Sequence, residues 1–578
     1  MTKSFITCLL LLAIGLRLDA QACDAPNAQL DIQGNNIKAR LLNGGDLFWD
    51  LNDGQFIPNP TPGGNDPTTI YSAGLWIGGV DPAYNLKISA AHYRFNNKTD
   101  FWPGPLDPAT GTSEANTCAN WDRIFKVKGA DVTAFLAALP SLQGDPAAAI
   151  AQFPSIMGWP GEGNAYFSQV WGFDLPFTAQ SLAGFYDFNS NGLYDPLSGD
   201  YPAVVLRGIP PFVADEFAWC VFNDEGAGAP HGISGGAGMN MEVQLTAWAF
   251  NCPGQSPISN TLFTAHKTIY RGFEAIDSCF VGFFVDPDLG CYSDDFYGCN
   301  PALNTFYAYN ADQIDGNPGT SCGGVPTFSG VPPVQSVTFL STPMEKFIGI
   351  NNAAIGTLPP GTTDPTLPAE YYRYLTGSWR DGSPITYGGS GYQSGGAATD
   401  YIFPDNPSQA NGWSMCTASL PLGDSRCLGV TQPGIVADEN YGRILPGQVD
   451  EYVLAWTVHP NPDLPCGLGN TFAEVAQVRA AYENGFADIC LSSNTATPAG
   501  QSVDVFPNPA HSTVTLQYGD WPVQEIRLFN AEGRLVQMVQ VQDAGQTELR
   551  IGDLPNGLYT AQIRGEGGTA VVKISVVH

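Results

Sequence analysis

Short runs of alternating apolar and polar residues, each closed by glycine, proline or asparagine, constrain this chain more than any other feature. Val514, Leu516 and Tyr518 alternate with polar neighbours near the C-terminus, and residues 241–247 show the same pattern far upstream. A side-chain period of two is typical of a half-buried strand. Glycine and proline number 66 and 46 among 578 residues, while 43% of the chain is hydrophobic. The pattern therefore predicts a turn-rich, mainly β protein rather than a disordered chain.

Residues 503–578 contain about seven of these runs and no cysteine, with turn signals at 530–533 and 554–557. Runs at this spacing predict a small antiparallel, immunoglobulin-like sandwich. The polar stretch 491–502, which precedes it, is typical of a flexible linker. The tail is therefore predicted to be a separate domain.

Three motifs of the tail, Val505–Pro509, Leu528–Arg534 and Leu554–Tyr559, are followed near the end by Lys573 and Ile574. In this order they resemble the type A C-terminal sorting domain of the Bacteroidota type IX secretion system. The resemblance implies that residues 503–578 engage the type IX secretion machinery, that the protein crosses the outer membrane, and that the tail is usually removed. It also implies that the cargo is then released or attached to surface lipopolysaccharide. An unrelated immunoglobulin-like module is the alternative.

The first twenty residues predict a secretory signal peptide. Lys3 gives a positive start, residues 5–16 form an apolar core, and residues 18–20 supply a small-residue cleavage site. The apolar core is too short to span a membrane, and no other apolar run reaches 18 residues, so we expect no transmembrane helix. Lipidation at Cys23 is an alternative, because residues 20–23 loosely resemble a lipobox.

Twelve cysteines remain once Cys8 of the leader is removed, an even number in an exported chain. This count predicts disulfides. The pairs that lie close in sequence, Cys291 with Cys299 and Cys416 with Cys427, are the pairings that spacing suggests. The chain has no C-x-x-C motif and only six histidines, so we do not expect a structural zinc site.

Acidic residues outnumber basic ones 55 to 24, which gives a net charge of −31. This balance argues against nucleic acids and anionic membranes as partners, because phosphate contacts need lysine and arginine. It favours solubility and the binding of divalent cations.

Changes of pattern along the chain predict its domain organisation. Residues 21–160 form an N-terminal β domain with a short helical insertion, and residues 161–490 form a central β-rich region of one or two sandwiches. The helices are predicted at 131–139, 145–153 and 471–484, the last beginning with a capping box of Thr471 and Glu474. The predicted fold class is thus mainly β, with multi-domain antiparallel sandwiches, a few short helices and a C-terminal immunoglobulin-like module.

The loop 187–195 has the spacing of a calcium-binding loop. Oxygen ligands at positions 1, 3, 5, 7 and 9, with Gly192 at position 6, fold a chain around Ca²⁺. Ser198 replaces the glutamate expected at position 12, and Asp200 could close a looser loop instead. An Asx-rich turn without metal is the alternative. The predicted ligands are Asp187, Asn189, Asn191, Leu193 through its carbonyl group, and Asp195.

Four carboxylates follow a predicted buried strand at 279–285: Asp286, Asp288, Asp294 and Asp295. They could bind a structural calcium ion, or place an acid/base pair for glycoside hydrolysis, or form a solvated loop rim. Residues 232–236 match G-x-S-x-G, but Pro230 precedes the motif and a strand follows it. We therefore expect a glycine-rich loop rather than a nucleophile elbow.

Aromatic residues make up 12% of the chain, and the runs 101–102 and 371–374 could stack on sugar rings at loop tips or lie in the core. Residues 73–79 and 286–291, among other segments, resemble a group of secreted Bacteroidota proteins that carry this sorting tail and have no assigned activity. Our hypothesis is an exported, non-enzymatic cell-surface or extracellular-matrix protein of the adhesion type. The alternatives are an extracellular hydrolase of polysaccharide or protein, and a carbohydrate-binding module; a glycan or protein ligand would fit either binding role.

Overall fold

The computed structural model describes residues 22–576 except 179, 253, 255–256, 317–321, 355–356, 422, 488, 490–502, 509, 520, 531–534, 542–544, 553 and 566–567. The predicted signal peptide and the predicted linker lie outside the described residues. We refer to residues 22–489 as the body and to residues 503–576 as the tail.

The body contains 22 described strands. In chain order they are β1 Gln29–Ile32, β2 Ile37–Leu42, β3 Asp46–Leu47, β4 Phe56–Pro58, β5 Ser72–Val80, β6 Leu86–Ala90, β7 Trp102–Pro103, β8 Phe125–Lys128, β9 Phe185–Tyr186, β10 Tyr201–Pro202, β11 Val204–Leu206, β12 Ile209–Phe212, β13 Glu216–Asn223, β14 Met241–Ala249, β15 Thr261–Tyr270, β16 Asp277–Asp286, β17 Asp295–Asn300, β18 Thr305–Asn310, β19 Val334–Phe339, β20 Lys346–Asn351, β21 Ser425–Thr431 and β22 Val449–His459.

Two antiparallel sheets of nine strands organise the body. The first sheet has the order β1-β2-β3-β5-β16-β21-β20, with β4 on β2 and β6 on β5. The second has the order β17-β18-β19-β22-β15-β14-β13-β7, with β8 on β13. The sheets pack face to face: the ring of Phe283 on β16 lies 5.6 Å from that of Phe339 on β19 and 5.1 Å from that of His266 on β15. The body is therefore an antiparallel β-sandwich, which confirms the predicted fold class.

The second sheet is buried on both faces, so the side chains of its strands pack into two hydrophobic cores, one on each face. On β14, Met241, Val243 and Leu245 point into the core between the sheets, whereas Trp248 points into a second core on the outer face. The alternation predicted at 241–247 is thus a strand. Its polar partner Glu242 is also buried and is paired with Arg271 at 3.1 Å rather than facing solvent.

Seven described α-helices accompany the sheets, and most of them cover the outer face of the second sheet. The helix predicted from Asp145 begins as expected, because the Asp145 carboxylate accepts a hydrogen bond from the Ala148 N–H at 3.0 Å. The helices are α1 Ala115–Trp121, α2 Gly129–Leu142, α3 Pro146–Gln152, α4 Pro154–Met157, α5 Phe167–Trp171, α6 Pro368–Leu375 and α7 Thr471–Glu483.

The capping box predicted for α7 is wrong. Asn470 occupies the N-cap position, and the Thr471 hydroxyl donates to the Leu468 carbonyl at 2.6 Å. The Glu474 carboxylate lies 2.7 Å from Nδ1 of His459 instead. Glu474 therefore pairs with His459, a residue of another element, instead of capping the N-terminus of α7 as the local sequence pattern predicts.

The boundary predicted near residue 160 does not separate two sheets. Strand β5 pairs with β16 over residues 72–80, and β8 pairs with β13. Each sheet thus contains strands from both predicted domains. The strands that hydrogen-bond to the backbone groups of β5 and β8 come from residues beyond 160.

The disulfide pairings suggested by close spacing are wrong. Cys291 bonds to Cys322 and Cys416 bonds to Cys466, while Cys299 and Cys427 are buried free thiols. Cys299 and Cys427 lie on strands of the sandwich, where their side chains fill the core. Cys23 bonds to Cys118, so its sulfur is not free for lipidation.

The tail folds as two small antiparallel sheets around a core of its own, as predicted. The sheet orders are β23-β24-β27 and β26-β25-β28-β29. The core includes Leu516, Ile526, Ile563 and Ile574. The strands are β23 Asp504–Phe506, β24 Thr513–Gly519, β25 Val523–Phe529, β26 Leu535–Gln540, β27 Gly545–Arg550, β28 Gly557–Gly565 and β29 Gly568–Val576.

No helix in the described part of the chain is long and apolar enough to cross a membrane.

Candidate functional site

The predicted calcium loop is held at its base by the two-stranded ribbon β9–β10, where Tyr186 stacks on Tyr201. Its side-chain oxygens turn inward and bind main-chain N–H groups of the same loop. The Asp187 carboxylate accepts from Asn191 at 3.2 Å and from Gly192 at 2.7 Å. The side-chain amide oxygen of Asn191 accepts from the Leu193 N–H at 2.7 Å. Gly192 adopts φ +77°, which the tight turn at position 6 requires.

Asp200 joins the two ends of the loop through hydrogen bonds to its main chain. It is fully buried, and its two oxygens accept from the N–H groups of Phe188 and Asp195 at 2.9 and 2.7 Å. Burial, with a contribution from the Asp187 and Asp195 charges, raises the pKa of Asp200. Oδ1 of Asp195 is buried and has no hydrogen-bond donor. The Asn189 side-chain oxygen accepts from the Asn191 N–H at 3.0 Å, whereas Oδ2 of Asp195 accepts from the Ser198 hydroxyl at 2.6 Å, beyond the loop.

The second predicted group, Asp286 to Asp295, divides into two parts in the structure. Asp286 ends β16 and lies 3.6 Å from Nε of Arg426, and the Tyr93 hydroxyl donates to its other oxygen. Arg426 also lies within 3.5 Å of Asp424 and 3.9 Å of Asp364. The protein itself therefore supplies a cation for Asp286.

Asp288 is half-buried beside this group. Burial raises its pKa well above the ordinary value, and the Asp286 charge adds to the shift. Burial likewise raises the pKa of Asp286 to about 6, although Arg426 acts in the opposite direction. The pKa of Tyr71 is raised to about 12, again chiefly by burial. Four aromatic side chains border these carboxyls: Trp49, Tyr71, Tyr93 and Phe95. Of these, Phe95 is 54% exposed.

Asp294 and Asp295 belong to the other part, together with Asp315, which the sequence analysis did not single out. Burial raises the pKa of Asp294 and of Asp315 to about 6, and it also raises the pKa of Asp295 well above its ordinary value. Asp315 lies some twenty residues from the others and follows β18, so no local pattern could assign it.

The G-x-S-x-G segment is a loop, as expected. The N–H groups of Ile233 and Ser234 donate to Asp100 at 2.8 and 3.0 Å, and the Ser234 hydroxyl donates to the Ile88 carbonyl at 3.2 Å. Nε2 of His231 lies 2.9 Å from the Asp224 carbonyl rather than at the serine. The serine is thus fixed as a structural group.

A buried chain of hydrogen bonds joins Ser336, His459 and Glu474, which the sequence analysis also missed. Ser336 Oγ lies 2.8 Å from His459 Nε2, and Glu474 lies 2.7 Å from Nδ1. Ser336 and His459 are both fully buried, so a substrate cannot reach the hydroxyl. We interpret the chain as a polar connection that holds α7 against β19 and β22.

The aromatic runs considered as loop tips are part of the core. Phe101, Trp102, Tyr371 and Tyr374 are each no more than 3% exposed. Other aromatic side chains reach solvent instead: Tyr84 at the tip of the β5–β6 hairpin is 90% exposed, and Phe177 and Phe273 are 80% and 69% exposed. The sequence could not predict that Tyr84, Phe177 and Phe273 are exposed, because an isolated aromatic residue in a turn-rich segment looks the same whether it lies in the core or at the surface.

Residues 504–577 match the family described as secretion system C-terminal sorting domain. The match confirms the predicted type IX sorting domain, and the protein is therefore exported to the cell surface or the extracellular space.

No curated protein matches the sequence. Among solved structures, a biofilm-associated protein domain aligns over 97% of this chain and 83% of its own length, at 11% identity and a TM-score of 0.13. A polysaccharide lyase aligns over 58% of this chain and 34% of its own, at 8% identity and a TM-score of 0.17. The sulfur carrier protein SoxY from Chlorobium limicola aligns over 14% and 79%, at 17% identity and a TM-score of 0.11. Likenesses at these scores support no conclusion about the fold or function of this chain.

Proposed function

We propose that the body of this exported protein is a non-enzymatic cell-surface or extracellular-matrix component of the adhesion type. The observation that carries the proposal is the environment of Asp286, the carboxylate best placed to be catalytic. It is only 4% exposed, it faces Arg426, and it accepts a hydrogen bond from Tyr93. A general acid or base must exchange a proton with a substrate, and these contacts favour a structural role instead.

The type IX secretion machinery is the partner that we assign to the tail. Lipopolysaccharide attachment after processing is the mode of surface retention that we propose. A glycan or a protein is the ligand that we propose for the body. The exposed aromatic side chains Tyr84, Phe177 and Phe273 are the best candidates for contacting it, because aromatic faces bury a large area and can stack on sugars.

The test is the adherence of cells that carry Tyr84→Ala, Phe177→Ala and Phe273→Ala together. We expect adherence to glycan-coated or protein-coated surfaces to fall towards that of a deletion strain, with unchanged amounts of protein at the surface. Val331→Ala is the control, because Val331 is 76% exposed and not aromatic. Full adherence of the triple variant would contradict the role of these residues.

We also propose that the 187–195 loop binds a structural calcium ion through Asp187, Asn189, Asn191, Asp195 and the Leu193 carbonyl. The buried and unpaired Oδ1 of Asp195 supports this site. Calcium should raise the melting temperature of the full-length protein relative to chelator, because an ion that binds only the native state stabilises it. Asp187→Asn should reduce that rise, whereas Asp81→Asn in an exposed turn should not.

A hydrolase acting on polysaccharide is the second candidate, and the raised pKa of Asp286 and Asp288 beside an aromatic border favours it. If it is correct, the exported protein cleaves members of a polysaccharide panel and Asp288→Asn abolishes the cleavage. The adhesion proposal predicts no cleavage by either protein.

A further inference from the structure

Three buried carboxylates meet where the loop before β17 contacts the segment after β18. We call Asp294, Asp295 and Asp315 the Asp294 cluster. The disulfide Cys291–Cys322 joins the two segments beside it. Asp294, Asp295 and Asp315 are 0%, 6% and 1% exposed, so the cluster is removed from solvent.

The hydrogen bonds of the cluster leave two carboxylate oxygens without a donor. Asp315 accepts from the N–H groups of Cys291 and Phe328. Asp294 accepts from Gly316 at 3.1 Å, and Asp295 accepts from Leu289 at 2.8 Å, in each case through Oδ2. Oδ1 of Asp294 and Oδ1 of Asp295 are buried and accept no hydrogen bond from any described residue. A buried ionised oxygen without a partner is costly.

The distances suit a metal ion. Carboxylate oxygens of Asp294 and Asp315 and the sulfur of Cys291 lie within 4.8 Å of one another. The sulfur belongs to a disulfide, so the oxygens are the ligands that remain. Two oxygens that each lie 2.3–2.6 Å from one calcium ion are separated by at most about 5 Å, and calcium prefers oxygen ligands.

The charges of the cluster point the same way. Asp286 has Arg426 at 3.6 Å, but no ion pair in the described part of the chain reaches Asp294, Asp295 or Asp315. Three neighbouring carboxylates without a basic side chain are stabilised in their ionised form by a bound cation. Gly290 keeps the space open, because a side chain at its position, with φ +76°, would collide with the Asp315 carboxylate.

We infer that the Asp294 cluster binds a calcium ion through the Asp294 and Asp315 carboxylates, with Asp295 completing the acidic surroundings. This site is separate from the 187–195 loop and does not depend on it. The ion would fasten the loop before β17 to the segment after β18, alongside the disulfide. Two carboxylates supply part of the six to eight oxygens that calcium takes.

The experiment counts calcium bound to the full-length exported protein after chelator treatment, by equilibrium dialysis at increasing CaCl₂. The Asp187→Asn protein is the background, so that the exposed loop does not contribute. We expect this protein to retain one bound calcium and the Asp187→Asn/Asp294→Asn protein to lose it. Asp81→Asn is the matched control, because the exposed Asp81 carboxylate also accepts main-chain N–H bonds.

The inference would be overturned by the absence of bound calcium in the Asp187→Asn protein, or by an equal calcium count after Asp294→Asn is added. Thermal unfolding covers the case in which the double variant does not fold. Saturating calcium should then raise the melting temperature of the Asp187→Asn protein by about 2–4 °C. An unchanged melting temperature would also overturn the inference. Equal calcium counts for wild type and Asp187→Asn would instead refute the loop site alone.

Discussion

Single buried residues show how tertiary contacts, rather than neighbours in sequence, set the chemistry of this protein. His266 lies on β15 against Phe283, is 1% exposed, and its Nδ1 has no hydrogen-bond partner among the described residues. Burial lowers its pKa from 6.5 to about 3. The native state therefore holds this imidazole neutral at pH values where the unfolded chain protonates it.

The sign of the resulting pH dependence follows from proton binding. Below about pH 6.5 the unfolded chain binds a proton at His266 that the native state does not bind until about pH 3. The free energy of unfolding should therefore fall as pH decreases through this range, by about 2 kcal/mol between pH 6.5 and 4.5 from this group. Buried carboxyls with raised pKa, such as Asp286, act in the opposite sense.

His266→Leu should isolate the effect. Its free energy of unfolding, measured with denaturant at pH 7, 6, 5 and 4.5, should decrease less on acidification than that of wild type, since the carboxyl contributions cancel in the comparison. His511→Gln serves as the control because that side chain is exposed. Parallel curves for wild type and His266→Leu would contradict a buried neutral imidazole.

Spacing alone could single out Asp187, Asn191 and Asp195 as candidate ligands, because all ligands of such a loop come from one continuous segment; calcium binding by this loop stays a prediction. It could not identify Asp315 or the pairing of Asp286 with Arg426, since those contacts depend on which strands become neighbours. The sequence therefore reveals groups of polar residues that lie close together along the chain, and it misses groups that only the pairing of strands brings together.

At the scale of elements, strands were easier to predict than their surroundings. The alternation on β14 predicted a strand, but it could not show that helices would cover the outer face and bury Glu242. Helix α3 was predicted correctly because its N-cap lies within its own sequence. The capping box at the start of α7 was predicted wrongly, because Glu474 contacts His459 on β22 instead of the helix N-terminus.

Cysteines on strands illustrate the same limit and give a testable consequence. Cys220, Cys279, Cys299 and Cys427 are buried free thiols, and burial raises the pKa of each. A thiol must ionise and meet the reagent to be alkylated. We therefore expect iodoacetamide to leave these four unmodified in the native protein and to modify all four in denaturant, as measured by peptide mass spectrometry.

Cys416 and Cys466 provide the internal comparison, because they should be modified only after reduction. Recovery of a Cys416–Cys427 or Cys291–Cys299 peptide from the unreduced protein would contradict the pairings described above.

The whole molecule consists of a body in which distant segments share sheets and a tail with its own core. Strand β5 occupies the middle of the first sheet with β16 as its neighbour, and β8 depends on β13. Strand pairs cross the boundary predicted at residue 160, because sequence pattern detects strands without showing which ones pair. The β-rich tail was predicted correctly because, among the described residues, its strands pair with one another and not with strands of the body.

The shared sheets predict that the body folds as one unit. A fragment of residues 22–160 lacks β16 and β13 and would expose the unpaired edges of β5 and β8. We expect it to show little cooperative unfolding by circular dichroism, whereas residues 22–489 should unfold in a cooperative transition. A cooperative transition of the shorter fragment would indicate an independent N-terminal domain.

Export directed by the tail is the central claim, and the most direct test is where the protein is found with and without residues 503–578. Fractionation and surface proteolysis should place the complete protein at the cell surface or in the medium. The truncated protein should stay in the periplasm with its body folded and its disulfides formed. Truncated protein outside the cell at the level of the complete one would contradict the claim.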